Sequence, residues 1–64
     1  MLVNGENVQL DTNMSLADYL STSGYNPAII AVERNGDIVP KADYASVMLN
    51  PEDKIEIVQF VGGG

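Results

Sequence analysis

The sequence predicts a small α+β domain in which a mixed sheet of about five strands has one helix crossing one face. Three observations lead to this prediction. The 64 residues, 45% of them hydrophobic, suffice for one thin core. Short apolar runs typical of strands occur on both sides of a single stretch with helical periodicity. Turn signals, of which Asn35-Gly36 is the strongest, separate neighbouring runs.

The first hairpin is predicted from two strand-like segments that lie close together in the chain. Residues 1–4 form a short apolar run, and residues 8–10 alternate apolar and polar side chains. Between them, residues 4–7 have the composition of a turn, and Gly5 can adopt a positive φ at low cost. We therefore expect strands at residues 1–4 and 8–10, joined by a tight turn.

The single helix is predicted to begin after Ser15, which forms a capping-box pattern with Asp18. The side chains that share one face at helical spacing are Leu16, Tyr19, Leu20 and Ser23. Gly24 is expected to end the helix in a left-handed conformation, and Pro27 prevents it from restarting. A helix this short must be stabilised by packing its apolar face on the sheet.

A second hairpin is predicted around Asn35-Gly36. The β-branched run at residues 29–32 indicates a strand, and residues 37–39 supply the return strand. Asn-Gly favours a two-residue turn because both positions tolerate positive φ.

The last third of the chain contains the longest strand candidate. Residues 41–49 show no clear period and are interpreted as a loop with one helical turn. A turn follows at residues 50–53, where Glu52 and Asp53 are expected to be solvated. Residues 54–61 then alternate as a strand.

Alternation along this last strand assigns its side chains to two faces. Ile55 and Ile57 are expected to face the helix, which leaves Glu56, Val58 and Phe60 on the open face of the sheet. We expect Val58 and Phe60 to belong to an apolar patch that docks a partner. A hairpin, a helix, a second hairpin and a final strand are the elements of a β-grasp domain, predicted for residues 1–61, with a flexible tail at residues 62–64.

Composition excludes several classes of function. Nine Asp and Glu against three Lys and Arg give a net charge of −6, which disfavours nucleic acid and anionic membranes as partners. Without cysteine or histidine the chain lacks thiol chemistry, the cysteine ligands of a β-grasp ferredoxin and the commonest general base. No apolar run approaches the ~20 residues of a membrane span, and no secretory signal begins the sequence. A soluble, cytoplasmic protein is expected.

The three glycines that follow the last strand suggest a chemical role. Without Cβ atoms, Gly62, Gly63 and Gly64 form a thin arm that can bring an α-carboxylate into a narrow site on another protein. A carboxylate must be activated before a nucleophile attacks it, most simply as an anhydride with AMP. The chain has no phosphate-binding loop, so activation is expected on a partner. The alternative is a frayed end or a remnant of cloning.

The chain resembles the ubiquitin-like sulfur carriers of bacterial thiamin biosynthesis, the ThiS family, along essentially its whole length. The segments that carry the resemblance are residues 3–6, 15–20, 31–40, 53–58 and 60–64. A terminal Gly-Gly alone is weakly specific. Its combination with the Asn-Gly-Asp-Ile-Val-Pro hairpin at residues 35–40 is much more so.

This resemblance implies a carrier that is a substrate of enzymes and not itself an enzyme. An E1-like adenylating enzyme would use ATP to activate the carboxylate of Gly64, and a persulfide donor would convert it to a thiocarboxylate. Thiazole synthase would then take the sulfur for the thiamin thiazole ring. Gly63 matches the penultimate glycine of the family, whereas Gly62 is less strictly required. The carrier itself would bind no cofactor.

Two other functions remain open from the sequence. The small subunit of molybdopterin synthase has the same fold and tail chemistry, but that family tends to be longer and often has prolines before the final glycines, where this chain has Gln59-Phe60-Val61. A ubiquitin-like module that binds partners without covalent chemistry would use an exposed Val58 and Phe60 equally well. A catalytic role is the least favoured because the chain lacks histidine and cysteine.

Overall fold

The computed structural model describes residues 1–10 and 12–60. The strands and the helix in this part of the chain are β1 (Leu2–Val3), β2 (Glu6–Asn7), α1 (Leu16–Thr22), β3 (Ile30–Arg34), β4 (Asp37–Ile38) and β5 (Lys54–Gln59). The strands form one sheet in the order β2-β1-β5-β3-β4. β1 and β5 are parallel, and the other neighbours are antiparallel. The predicted mixed β-grasp sheet with one helix is confirmed.

One face of the sheet packs against α1 to form the core. Leu16 and Leu20 of the helix are fully buried, and Ile55 and Ile57 of β5 are buried beneath them, as predicted. Ser23, which the helical spacing places on the same face, is exposed because it is the C-cap residue, where the helix ends. The buried hydrophobic residues are Val3, Leu16, Leu20, Ile30, Val32, Val39, Tyr44, Leu49, Ile55 and Ile57.

Both predicted ends of α1 are confirmed. The hydroxyl of Ser15 accepts a hydrogen bond from the Asp18 amide at 3.1 Å. At the other end, Gly24 has φ +82°, its amide donates to the Ser21 carbonyl at 3.2 Å, and the Tyr25 amide donates to the Leu20 carbonyl at 2.9 Å. This pair of bonds is a Schellman motif, which requires the left-handed residue that glycine provides.

The first hairpin is tighter than predicted. β2 comprises Glu6–Asn7, not residues 8–10, and it pairs Val3 with Glu6. The reason is that Asn4 and Gly5 both adopt positive φ, at +51° and +84°, and close the chain in two residues.

The second hairpin follows the prediction closely. Asn35 and Gly36 have φ of +54° and +89° and form the expected two-residue turn between β3 and β4. The return strand ends at Ile38, one residue earlier than expected. A short 3₁₀ helix, Pro27–Ile29, delays the start of β3 to Ile30.

The connection between β4 and β5 contributes to the core. The helical turn expected in residues 41–49 is a 3₁₀ helix, Lys41–Asp43. Tyr44, which follows it, is buried, and this burial raises the pKa of its phenol above the ordinary value. The Lys41 ammonium donates hydrogen bonds to the carbonyls of Pro27 and Ile30, so this lysine links the connection to the chain around the start of β3.

The prediction that the turn at residues 50–53 is solvated is wrong for Asp53. Glu52 is exposed, but Asp53 is only 5% exposed. It turns inward because it forms a salt bridge with Arg34 at 2.9 Å. The side chain of Arg34 is itself 33% exposed.

Two predicted boundaries fall at the end of the described chain. β5 is seen to Gln59, and Phe60 follows it. The end of the last strand at residue 61 and the tail at residues 62–64 lie outside the described residues. Within residues 1–10 and 12–60, no helix combines the length and apolarity that a bilayer crossing needs.

Candidate functional site

The end of β5 presents apolar side chains to solvent. Val58 and Phe60 are 56% and 57% exposed, on the face of the sheet that α1 does not cover. Ile55 and Ile57 point to the core, so the period of two places Val58 opposite to them. The structure therefore places both predicted docking residues on an accessible surface.

Two residues that the sequence did not single out extend this surface. Ala31 of β3 lies directly opposite Val58, and the Phe60 amide donates a hydrogen bond to the Ile29 carbonyl at 2.7 Å. Ile29 is 37% exposed and Ala31 is half-buried. We call Ile29, Ala31, Val58 and Phe60 the open-face patch. No local sequence pattern identifies these two residues, because their position beside Val58 and Phe60 depends on how the chain around β3 pairs with β5.

An acidic pair borders the open-face patch. Glu33 of β3 lies opposite Glu56 of β5. Each is next in sequence to a buried residue of its own strand, so the side chains of both lie on the open face of the sheet. Like charges directly opposite one another weaken strand pairing. A partner that covers this face with basic groups beside an apolar centre would relieve that repulsion.

The side chain of Asn4 holds β5 close to the open-face patch. Its Oδ1 accepts from the Ile57 amide at 2.6 Å, and its Nδ2 donates to the Ile57 carbonyl at 3.2 Å. The backbone amide of Asn4 also donates to the Ile55 carbonyl at 2.9 Å. The backbone of β1 turns away after Val3, and the Asn4 carboxamide takes the place of the next backbone group. The backbone amide and carbonyl of Ile57 in β5 therefore keep hydrogen-bond partners.

The beginning of β5 is held by a buried carboxylate. Asp53 accepts hydrogen bonds from Arg34 Nε at 2.9 Å, Asn35 Nδ2 at 3.0 Å and the Asn50 amide at 2.9 Å. Burial alone would raise the pKa of Asp53, but these hydrogen bonds and the charge of Arg34 outweigh it and lower the pKa below its ordinary value. Local spacing gave no sign of this cluster, because its residues come from three different turns and strands.

The described residues can contact a partner through exposed side chains and hydrogen bonds, whereas the reacting group predicted from the sequence lies beyond them. Among residues 1–10 and 12–60, no group of three His, Cys, Asp or Glu side chains is placed to hold a metal ion. Gly62, Gly63 and Gly64, to which the sequence assigns access to a partner and the reacting carboxylate, lie outside the described residues. Phe60, the last described residue before them, is part of the open-face patch, so a partner that covers the patch lies at the end of β5.

Comparison with known families and curated proteins gives a consistent result. The family model described as "ThiS family" matches residues 1–64. The sulfur carrier protein ThiS of Bacillus subtilis is 42% identical over 64 residues, with 97% of this chain and 96% of the relative covered. A thiazole synthase of Paramagnetospirillum magneticum is 44% identical over 64 residues, which are 100% of this chain and 20% of that protein. The chain therefore spans about one fifth of the length of that synthase.

Solved structures agree on the fold. The crystal structure of a thiamine biosynthesis protein (ThiS) from Geobacter metallireducens has a TM-score of 0.83 to this chain, with 24% sequence identity. The matched region covers 98% of this chain and 96% of the Geobacter chain. At this identity the likeness establishes the β-grasp fold.

Proposed function

This chain belongs to the ThiS family, and from that premise we propose that it is a sulfur carrier of thiamin biosynthesis, with the α-carboxylate of Gly64 as the group that carries sulfur. The observation that carries the proposal is the family match along residues 1–64, which includes the three glycines. The names of the relatives, a sulfur carrier and a thiazole synthase, support the same pathway. The proposal requires that Gly64 bears a free carboxylate in the cell.

The chemistry follows from the weak reactivity of a carboxylate. An E1-like partner enzyme would bind ATP, and an oxygen of the Gly64 carboxylate would attack the α-phosphorus, releasing pyrophosphate and leaving an acyl adenylate. A persulfide sulfur would then displace AMP at the carbonyl carbon. Cleavage of the resulting S–S bond by a thiol would leave a thiocarboxylate, and thiazole synthase would accept its sulfur. These steps use ATP and donors of the cytoplasm, where we place the carrier.

The body of this chain would contribute position. Gly62 and Gly63 present little side-chain bulk, so they would let Gly64 enter a narrow site. The open-face patch would dock on the adenylating enzyme, and Val58 and Phe60 supply its most exposed apolar area. Asn4 and Asp53 would keep β5 in register, so that the open-face patch keeps its place in the sheet. Small displacements matter, because ~1 Å of misplacement can reduce a rate by ~10²-fold.

Changing the length of the tail tests the proposal. Deletion of Gly64 withdraws the carboxylate by one residue, about 3.5 Å of reach, and addition of an alanine after Gly64 advances it. We expect both proteins to melt like the parent, to bind the adenylating enzyme, and to lose ATP–pyrophosphate exchange by about 10²-fold or more. Equal exchange by all three chains would reject Gly64 as the reacting group and favour the non-covalent binding module.

A second measurement separates the carrier from its relatives in other pathways. Protein isolated from its own host should contain, by intact mass, a fraction in which one carboxylate oxygen is replaced by sulfur. That fraction should lose its sulfur to purified thiazole synthase when the substrates that accept the sulfur are supplied, and keep it with the large subunit of molybdopterin synthase and the acceptor of that enzyme. The reverse preference would assign the chain to the molybdopterin pathway.

A further inference from the structure

A groove that is open to solvent lies on the helix side of the sheet, between the first hairpin and α1. Its volume is about 170 Å³, and its lining residues are Val3, Asn4, Glu6, Val8, Tyr19 and Tyr25. A cavity of ~150 Å³ accepts a benzene ring, so this groove has room for a planar group of similar size. It is on the opposite side of the sheet from the open-face patch, because Val3 points into the core under the helix.

The accessible lining of the groove is mostly polar and includes two tyrosines and one carboxylate. Val3 is buried, and the two tyrosine rings are half-buried against the core. Glu6 is paired in register with Val3, which directs its side chain to the same, helix-covered side of the sheet. Aromatic faces attract cations, and a carboxylate pairs with them.

No cation of the described chain neutralises Glu6. Within residues 1–10 and 12–60 the salt bridge that forms is between Arg34 and Asp53. The ammonium of Lys41 is bound by two backbone carbonyls. Lys54 precedes the buried Ile55 in β5 and therefore points to the open face. Glu6 is exposed and the chain has a net charge of −6, so a cation that binds in this groove would come from another molecule.

We propose that the groove binds an arginine side chain of a protein partner. A guanidinium is planar, stacks on aromatic rings, is weakly hydrated and can donate two parallel hydrogen bonds to the Glu6 carboxylate, whereas an ammonium is a compact and strongly hydrated point charge. The site is independent of the sulfur-transfer chemistry and of the open-face patch. A partner that binds here can therefore hold the carrier while the other face of the sheet is occupied.

Titration with a minimal ligand tests the proposal on the intact chain. N-acetyl-arginine amide is added to ¹⁵N-labelled protein, and amide shifts are followed by NMR. We expect saturable shifts confined to residues of the groove, such as Glu6, Tyr19 and Tyr25. The matched ligand N-acetyl-citrulline amide has the same shape without the charge, and we expect it to bind at least fivefold more weakly. Equal binding of both ligands, or arginine shifts that do not saturate, would overturn the proposal.

Three variants locate the site. Glu6→Gln removes the charge at an exposed strand position and should weaken arginine binding at least fivefold. Tyr25→Leu keeps apolar packing but removes the aromatic face, and it should also weaken binding. Glu52→Gln, at an exposed turn outside the groove, is the matched control and should bind like the parent. Should Tyr25→Leu fail to fold, Glu6→Gln decides. Unchanged affinity in Glu6→Gln, or equal loss in Glu52→Gln, would reject the site.

Discussion

The two ends of β5 are built in opposite ways. At its beginning, Asp53 is buried and accepts three hydrogen bonds, one of them within a salt bridge to Arg34. At its end, Val58 and Phe60 are more than half exposed and apolar. The first end satisfies its polar groups inside the molecule, which stabilises the fold. The second leaves apolar side chains exposed, which is what a docking surface requires.

Two asparagines with positive φ, Asn35 and Asn4, bind the two ends of β5 to the turns of the neighbouring hairpins. Asn35 accepts from the Lys54 amide through Oδ1 at 2.9 Å and donates its own amide to the Lys54 carbonyl at 2.8 Å. Asn4 makes the equivalent two-way contact with Ile57 through its carboxamide. Each Asn-Gly turn therefore both closes a hairpin and fixes one edge of β5. The anchored end has the additional carboxylate, and we expect it to dominate stability.

The largest expected effect is at the anchored end. Asp53→Ala leaves Arg34, Asn35 and the Asn50 amide without their acceptor, and losing such a buried charged partner costs about 2–3 kcal/mol of unfolding free energy. We expect a smaller cost than the largest values for fully buried ion pairs, because the side chain of Arg34 is one third exposed to solvent. In a domain of this size the loss is a large share of total stability. Urea unfolding at pH 7 measures it, with Glu52→Ala at the neighbouring exposed position as control.

The same pair of proteins gives a pH signature. Because the folded pKa of Asp53 is lowered, its contribution is fully present above the unfolded value of about 3.9 and is lost as pH falls through the folded pKa. The stability difference between parent and Asp53→Ala should therefore be constant near neutral pH and shrink below about pH 4. A difference that is absent at pH 7, or that grows in acid, would contradict the assignment of Asp53 as the anchor.

An intermediate effect is expected from the turn at the anchored end. Gly36 has φ +89°, and no atom lies within 4 Å of the position that a Cβ would take there, so a side chain meets backbone strain and no steric clash. Gly36→Val should cost about 1–3 kcal/mol. Gly62→Val places the same side chain beyond the other end of β5 and should leave the melting temperature unchanged. Thermal melts of both proteins sharpen the comparison, and equal losses would contradict it.

The sequence predicted those features that depend on neighbouring residues. Asn35-Gly36, the Ser15 cap and the Gly24 stop are local patterns, and each was confirmed. The alternation of side chains in β5 was sufficient to predict that Val58 is exposed and that Ile57 is buried. The first hairpin was misplaced because residues 8–10 alternate like a strand, although the two-residue turn had already fixed the pairing at Glu6–Asn7.

The remaining features depend on residues that are distant in sequence. Asn4 binds Ile57 across 53 positions and Arg34 binds Asp53 across 19, and no local period encodes such contacts. Asp53 in particular stands in a polar turn whose composition is typical of solvated residues. Ile29 and Ala31 could be assigned to the open-face patch only from the way β3 pairs with β5. Long-range pairing, and not local propensity, completed the site.

The smallest effect on stability is expected at the open end, where Phe60 is 57% exposed. Phe60→Asp should change the unfolding free energy by no more than about 0.5 kcal/mol, since exposed positions tolerate substitution. The same change should weaken binding to the adenylating enzyme, because burial of a phenylalanine side chain contributes about 1.5–3 kcal/mol and roughly half of this side chain is available to a partner. We therefore expect a loss of about 3- to 12-fold in affinity by calorimetry.

Gln59→Asp separates apolar contact from charge in that measurement. Gln59 is exposed, lies next to Phe60 in the chain and pairs with Ile30, so its side chain projects to the other side of the sheet. This substitution introduces the same carboxylate without removing apolar area from the open-face patch, and we expect binding within about twofold of the parent. If Phe60→Asp unfolds the domain, Phe60 belongs to the core and the open end is structural. If both variants bind like the parent, docking uses another surface, and the contrast between the two ends of β5 concerns stability alone.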